Sequence, residues 1–211
     1  MEKPVCGIDR PPPRFFQKVK KGVSVKYVLS LLLPVLFGFS AQAQTNPPQP
    51  AMFNPKQVEQ IGVFDDWTAY IYENKKEKVC YAASAPFKSS GEYVRRGDVF
   101  LIVSHRPKEE LFDVLTVVAG YTYMPRSEPV FRVGKTKFSL FTHRDTAWTK
   151  NLRTDKEIAE AMNRGVRATL RGTSIENVET YDTFSLKGFN NAMEALNRLC
   201  HNKPVSEKKA D

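Results

Sequence analysis

The side chains that could do chemistry in this chain are few and scattered. Histidine occurs only at His105, His143 and His201. None of them stands in an H-x-x-x-H spacing, and the cysteines form no C-x-x-C, so the local signature of a zinc site is missing. The densest polar cluster is His143-Arg144-Asp145, where a carboxylate beside a hairpin strand could orient an imidazole. No serine sits in a nucleophile-elbow context, so a solvated turn is the simpler reading of that cluster. His105, at the end of an apolar run beside Arg106-Pro107, reads as a strand-end residue. Asp65-Asp66 would point to opposite faces of a strand, which suits no acid/base pair. Gly134-Lys135-Thr136 has the end of a phosphate loop but lacks its first glycine. No cofactor and no metal are expected. The cations Arg95, Arg96, Lys135, Lys137 and Arg144 could make a basic surface for an acidic ligand, against the commoner alternative of a merely solvated face.

Compartment decides what the cysteines do. Lys18, Lys20, Lys21 and Lys26 precede an uncharged run, 27–39, followed by Ala41-Gln42-Ala43. A basic region, a short apolar core and a small-x-small site describe a cleavable signal peptide over 1–43. The apolar core is too short for the ~20 residues of a spanning helix. Cleavage would remove seven Lys/Arg and two Asp/Glu, taking the formal charge from +9 to about +4. That modest charge argues against nucleic acid as a partner. Cleavage also removes Cys6 and leaves Cys80 and Cys200. An even pair in an oxidising compartment suggests one disulfide; two buried free thiols are the alternative.

The elements that must position these residues follow from periodicity. Residues 44–57 are rich in Pro and Asn and read as a linker. A single β-rich domain is expected over 58–203, ahead of a charged tail, 204–211. Strands are predicted over 67–72, 79–85, 99–104, 112–119, 130–133, 136–142, 166–170 and 178–184, with 88–98 a loop and 99–104 a central strand. Thr154-Asp155-Lys156-Glu157 is a capping-box pattern opening a short helix that stops at Gly165. Leu186, Phe189, Met193, Leu196 and Cys200 form the apolar stripe of a terminal helix that Ser185 could cap. Trp67 and Trp148 are core or rim anchors. The fold class expected is mainly β: an antiparallel sandwich or curled sheet, with a short late helix and a C-terminal helix packed on it.

Six segments carry a family resemblance: Val63-Phe64-Asp65-Asp66-Trp67, Lys78-Val79-Cys80-Tyr81-Ala82, Lys137-Phe138-Ser139-Leu140-Phe141, Thr146-Ala147-Trp148, Arg171-Gly172-Thr173-Ser174, and Asp182-Thr183-Phe184-Ser185-Leu186-Lys187-Gly188-Phe189 running on to Cys200. Together, over about 60–200, they resemble the invasion-associated locus B family of exported α-proteobacterial proteins. Asp65 stands where the family pattern has Gly. The resemblance implies export, a β-rich fold and the cysteine pair, and it brings no catalytic residues. The expectation is a non-enzymatic protein of the periplasm, outer-membrane-associated or secreted, that binds an anionic envelope or host macromolecule. Its membrane contact would be peripheral or through the leader. The alternative is a periplasmic hydrolase or redox factor with a site near His143 and Asp145.

Overall fold

Alternating apolar and polar residues, reversed at short polar turns, build two antiparallel sheets. The structure, a computed structural model, describes residues 57–92 and 96–201. The expected signal peptide, most of the linker, the charged tail and Arg95 lie outside the described residues. The strands are β1 Val58–Phe64, β2 Trp67–Glu73, β3 Lys78–Ser84, β4 Lys88–Ser90, β5 Phe100–Arg106, β6 Leu111–Val118, β7 Val130–Val133, β8 Thr136–Ser139, β9 Phe141–His143, β10 Thr146–Trp148, β11 Arg167–Thr173 and β12 Glu179–Ser185. Among the described residues there are two α-helices, α1 Leu152–Arg164 and α2 Phe189–Leu196, the second continuing into a π turn over Asn197–His201. One sheet has the order β1-β2-β3-β5-β6-β10-β9 and the other β4-β12-β11-β7-β8.

The apolar run ahead of His105 is β5, the middle strand of the larger sheet, as its lack of alternation predicts. The inner faces of both sheets and the apolar sides of both helices share one core, with Trp67, Leu101, Leu115, Phe131, Leu140, Ile158, Phe184 and Phe189 almost wholly buried. Each such side chain contributes on the order of 1.5–3 kcal/mol by leaving water. The stripe Leu186, Phe189, Met193, Leu196 and Cys200 is buried along its whole length.

Four local readings are corrected. Part of the expected 88–98 loop is paired: β4 adds to the edge of β12, with Asp182 opposite Ser89. The expected strand 136–142 is two strands, broken at Leu140, which is fully buried where the chain passes from one sheet to the other. Helix α1 begins before Thr154. Its cap is Asn151, whose Oδ1 accepts from the Thr154 N–H at 2.9 Å. Asp155, inside the capping-box pattern, is buried and accepts from the Leu115 N–H at 3.0 Å and Thr149 Oγ1 at 2.6 Å, fastening the helix to β6. Glu157 meets Arg153 at 3.0 Å and does not reach back to the cap. Ser185 ends β12 and does not cap α2, whose N-cap is Gly188 and which has no side-chain cap.

Candidate binding surface

The two most distinctive segments of the sequence dock on one another. Between β1 and β2 the chain reverses through Asp65-Asp66, with Phe64 opposite Trp67. Asp65 itself takes the left-handed conformation at φ 50°, so the tight turn forms without the glycine of the family pattern. Asp66 N–H donates to the Lys187 carbonyl at 3.3 Å, Trp67 Nε1 to the Ser185 carbonyl at 3.0 Å, and Lys187 Nζ lies 2.8 Å from the Asp65 carboxylate. That contact raises the Lys187 ammonium above its ordinary pKa, by hydrogen bond first and charge second. Gly188 sits at φ 86°, and a Cβ there would collide with the Phe64 carbonyl oxygen. The Lys-Gly pair of the motif is therefore a docking joint for the first hairpin.

The cysteines meet. Cys80 and Cys200 are joined at an S–S distance of 2.14 Å, with Cα atoms 6.1 Å apart. The bridge is buried, with Cys80 at 0% and Cys200 at 4% exposure. Such burial suits a structural tie and blocks attack by an outside thiolate. His105, opposite Cys80 in the sheet, is completely buried and is more than a strand end. Its Nδ1 accepts from the Asp113 N–H at 3.1 Å. The other ring nitrogen therefore carries the proton, and it lies 3.0 Å from Asn197 Oδ1. The ring thus clamps the π turn that carries Cys200.

Of the five predicted surface cations, Arg96 is reassigned. Its guanidinium makes a two-pronged pair with the buried Asp182, at 2.9 and 2.5 Å, and donates from Nε to the Ala119 carbonyl at 2.8 Å. It also lies 5.0 Å over the Tyr121 ring. A cation committed to a buried carboxylate is structural and offers nothing to a ligand. Lys135, Lys137 and Arg144 are exposed. Lys135 lies in the two-residue turn between β7 and β8, and Lys137 on β8. Arg144 lies on the other sheet, in the β9–β10 turn at φ 56°. The surface predicted from these cations therefore splits between two sheets.

The His143-Arg144-Asp145 cluster is that turn. Its carbonyls at Arg144 and Asp145 accept from the Tyr123 and Ala119 N–H groups at 2.7 and 2.8 Å, and Asp145 Oδ1 accepts from Thr146 Oγ1 at 3.1 Å. Among the described residues no hydrogen bond joins His143 to Asp145, and no group of three or more His, Cys, Asp or Glu is gathered as a metal site. His201 ends the π turn, and its side chain lies outside the described residues.

What the fold does gather is a basic face. In the smaller sheet, Ala168, Leu170, Thr180, Asp182 and Phe184 point inward, so their neighbours point out. Register then places Lys88, Thr183, Thr169, Arg132 and Lys137 in one row across all five strands. At the ~4.8 Å strand spacing this row is roughly 19 Å long. Arg171 and Tyr181 stand opposite each other in the next row, and Arg167 faces Ser185 beyond. The strands of this face carry five cations, Lys88, Arg132, Lys137, Arg167 and Arg171, against one carboxylate, Glu179, which is already paired with Arg171 at 3.3 Å. Arg132 and Lys137 are direct cross-strand neighbours, an arrangement that is unfavourable without an anion between them. Lys88, Arg132, Arg167 and Arg171 escaped the sequence reading. The alternation Arg167-Thr169-Arg171 was the available signal for two of them; the rest needed the strand register.

Compared with known proteins, the chain matches the family model described as Invasion associated locus B (IalB) protein over residues 67–197. No curated protein and no solved structure matches it. The matched span runs from the tryptophan of the first docking joint to the asparagine that His105 holds, and the chain belongs to the invasion-associated locus B family.

Proposed function

We propose that this protein is exported to the periplasm or cell surface and works by binding an anionic envelope or host macromolecule, without catalysis. The observation that carries the reading is the one-sided charge of the smaller sheet, where hydroxyls of Thr169, Thr183 and Tyr181 lie among five cations. Hydroxyls and guanidinium groups together are the donors that phosphate, sulfate and carboxylate groups take up. Five hydrogen-bonded strands hold them in a fixed spacing, so a repeating anionic surface is a better match than a single small ion. Attraction of this kind is weakened by salt.

The test uses charge reversal at exposed positions that make no core contact. Wild type and an Arg132→Glu/Arg167→Glu variant are compared for retention on dextran sulfate and on phosphatidylcholine vesicles containing phosphatidylglycerol, at about 50 and 300 mM salt. Wild type is expected to bind at low salt and release at high salt, and the variant to bind at least tenfold more weakly. Equal binding by the two proteins overturns the basic-face reading. A His143→Ala/Asp145→Ala variant that loses the cellular role while folding and location persist would instead favour a hydrolytic site.

A further inference from the structure

The cations of the smaller sheet spread in two directions, and apolar side chains stand at one end of them. Arg132 faces Thr169 on one side and Lys137 on the other. Arg167 and Arg171 lie two residues to either side of Thr169 on β11, so each is a diagonal neighbour of Arg132 at ~7–8 Å. Along β11 the two arginines are about 14 Å apart at ~3.4 Å per residue, so the charges cover an area and do not follow a line. At the end of this face where Arg167 meets Ser185, Phe87 and Val166 are 64% and 79% exposed. Both are held in place by their backbones. The Phe87 N–H donates to the Thr183 carbonyl at 3.0 Å, and the Val166 carbonyl accepts from the Leu186 N–H at 3.1 Å. They thus flank β12 from its two sides, about 10 Å apart across the sheet at ~4.8 Å per strand. Each is followed in sequence by a cation of the face, Lys88 or Arg167.

We infer that the anionic partner of this face is a phospholipid bilayer, which Phe87 and Val166 enter while the cations hold its headgroups; this rests on the basic-face binding proposed for the protein and names its ligand. One exposed apolar side chain is ordinary. Two of them fixed beside cations combine the attractions that hold proteins at a membrane interface, apolar burial and charge. A flat array of headgroup charges matches cations spread in both directions, whereas a linear polyanion would leave those off its line unused. A soluble glycan would also leave Phe87 and Val166 in water. Among the described residues the outward side chains of the five strands include one aromatic ring, Tyr181, whose hydroxyl is tied to Glu179, so no stacking platform for sugar rings is gathered. A second copy is disfavoured as the occupant, because five cations with one carboxylate would face their like.

The experiment uses the chain recovered from its own cells, with its N terminus read by intact mass. Sedimentation with phosphatidylcholine vesicles, with and without phosphatidylglycerol, is compared with retention on dextran sulfate at about 50 mM salt. A Phe87→Ser/Val166→Ser variant should bind the phosphatidylglycerol vesicles about tenfold more weakly than wild type and be retained equally on dextran sulfate. In Phe87→Trp, phospholipids brominated on their acyl chains should quench an emission that the buried Trp67 and Trp148 do not give. The membrane assignment is overturned, and the basic face kept, by dextran sulfate retention without vesicle binding, by vesicle binding unchanged in the serine variant, or by no quenching in the bound tryptophan variant. Equal binding to vesicles lacking phosphatidylglycerol also overturns it, and assigns the attachment to residues ahead of the domain. Failure of wild type on both dextran sulfate and phosphatidylglycerol vesicles overturns the basic face itself.

Discussion

Asp182 illustrates how a signature residue can be structural. It is fully buried, and its charge is met by Arg96, whose side chain is 14% exposed, and by Ser89 Oγ at 2.7 Å. Removing one partner of such a pair leaves a buried charge uncompensated. Arg96→Ala is therefore expected to destabilise the protein by about 3–5 kcal/mol, read from the urea midpoint. The docking joint gives two substitutions of opposite sign. Asp65→Gly should relieve left-handed strain worth about 1 kcal/mol while giving up only a solvent-screened pair with Lys187, for a small net gain. Gly188→Ala should destabilise by about 3 kcal/mol, because its Cβ meets backbone that cannot move aside. If the two changes shift the melting temperature in the same direction, the joint does not work as described.

Among the elements, the terminal helix depends most on a distant partner. Cys200→Ser should lower stability by about 5 kcal/mol at most, since the closed loop is somewhat longer than the ~100 residues for which chain entropy gives about 4.7 kcal/mol. Amide exchange should quicken first in Asn197–His201, where the bridge and His105 hold the turn. Periodicity made the strands and the buried stripe legible, because alternation and helical spacing are local. The capping box misled because Asn151, three residues earlier, takes the cap; Asp155 instead satisfies backbone on β6, forty residues away in sequence, a partner no local pattern reports. Leu140 misled for a related reason: its neighbours continue the alternation, while the chain changes sheets around it. The basic face was legible only in fragments, since its row of side chains comes from five strands that register alone brings together. Arg96 looked like surface because its sequence neighbours are polar; its carboxylate lies 86 residues on.

At the scale of the whole molecule, buried phenols set an alkaline limit. Burial pushes the Tyr70 and Tyr81 hydroxyls up, and Tyr123 well above its usual value. The fold thus favours the neutral phenol. This contribution to stability is fully present below the unfolded value of 10.0 and is lost as pH climbs towards the raised folded values. The thermal midpoint should be insensitive to these groups up to that pH and fall above it. Their phenolate absorbance should appear together with loss of secondary structure. Tyr181, exposed and held up mainly by its hydrogen bond to Glu179, should ionise while the protein is still folded. Phenolate signal from the buried tyrosines in a folded protein would contradict the burial assigned to them.

The bond between Cys80 and Cys200, 120 positions apart, also makes most of the domain a covalent ring. A protease that cuts any exposed loop inside it, such as the segment around Arg126 or the turn at Glu176 and Asn177, opens the ring without releasing a fragment. Such a nicked molecule should run as one species until it is reduced, and as two afterwards. A clipped copy would keep both sheets, and with them the basic face, in one covalent molecule.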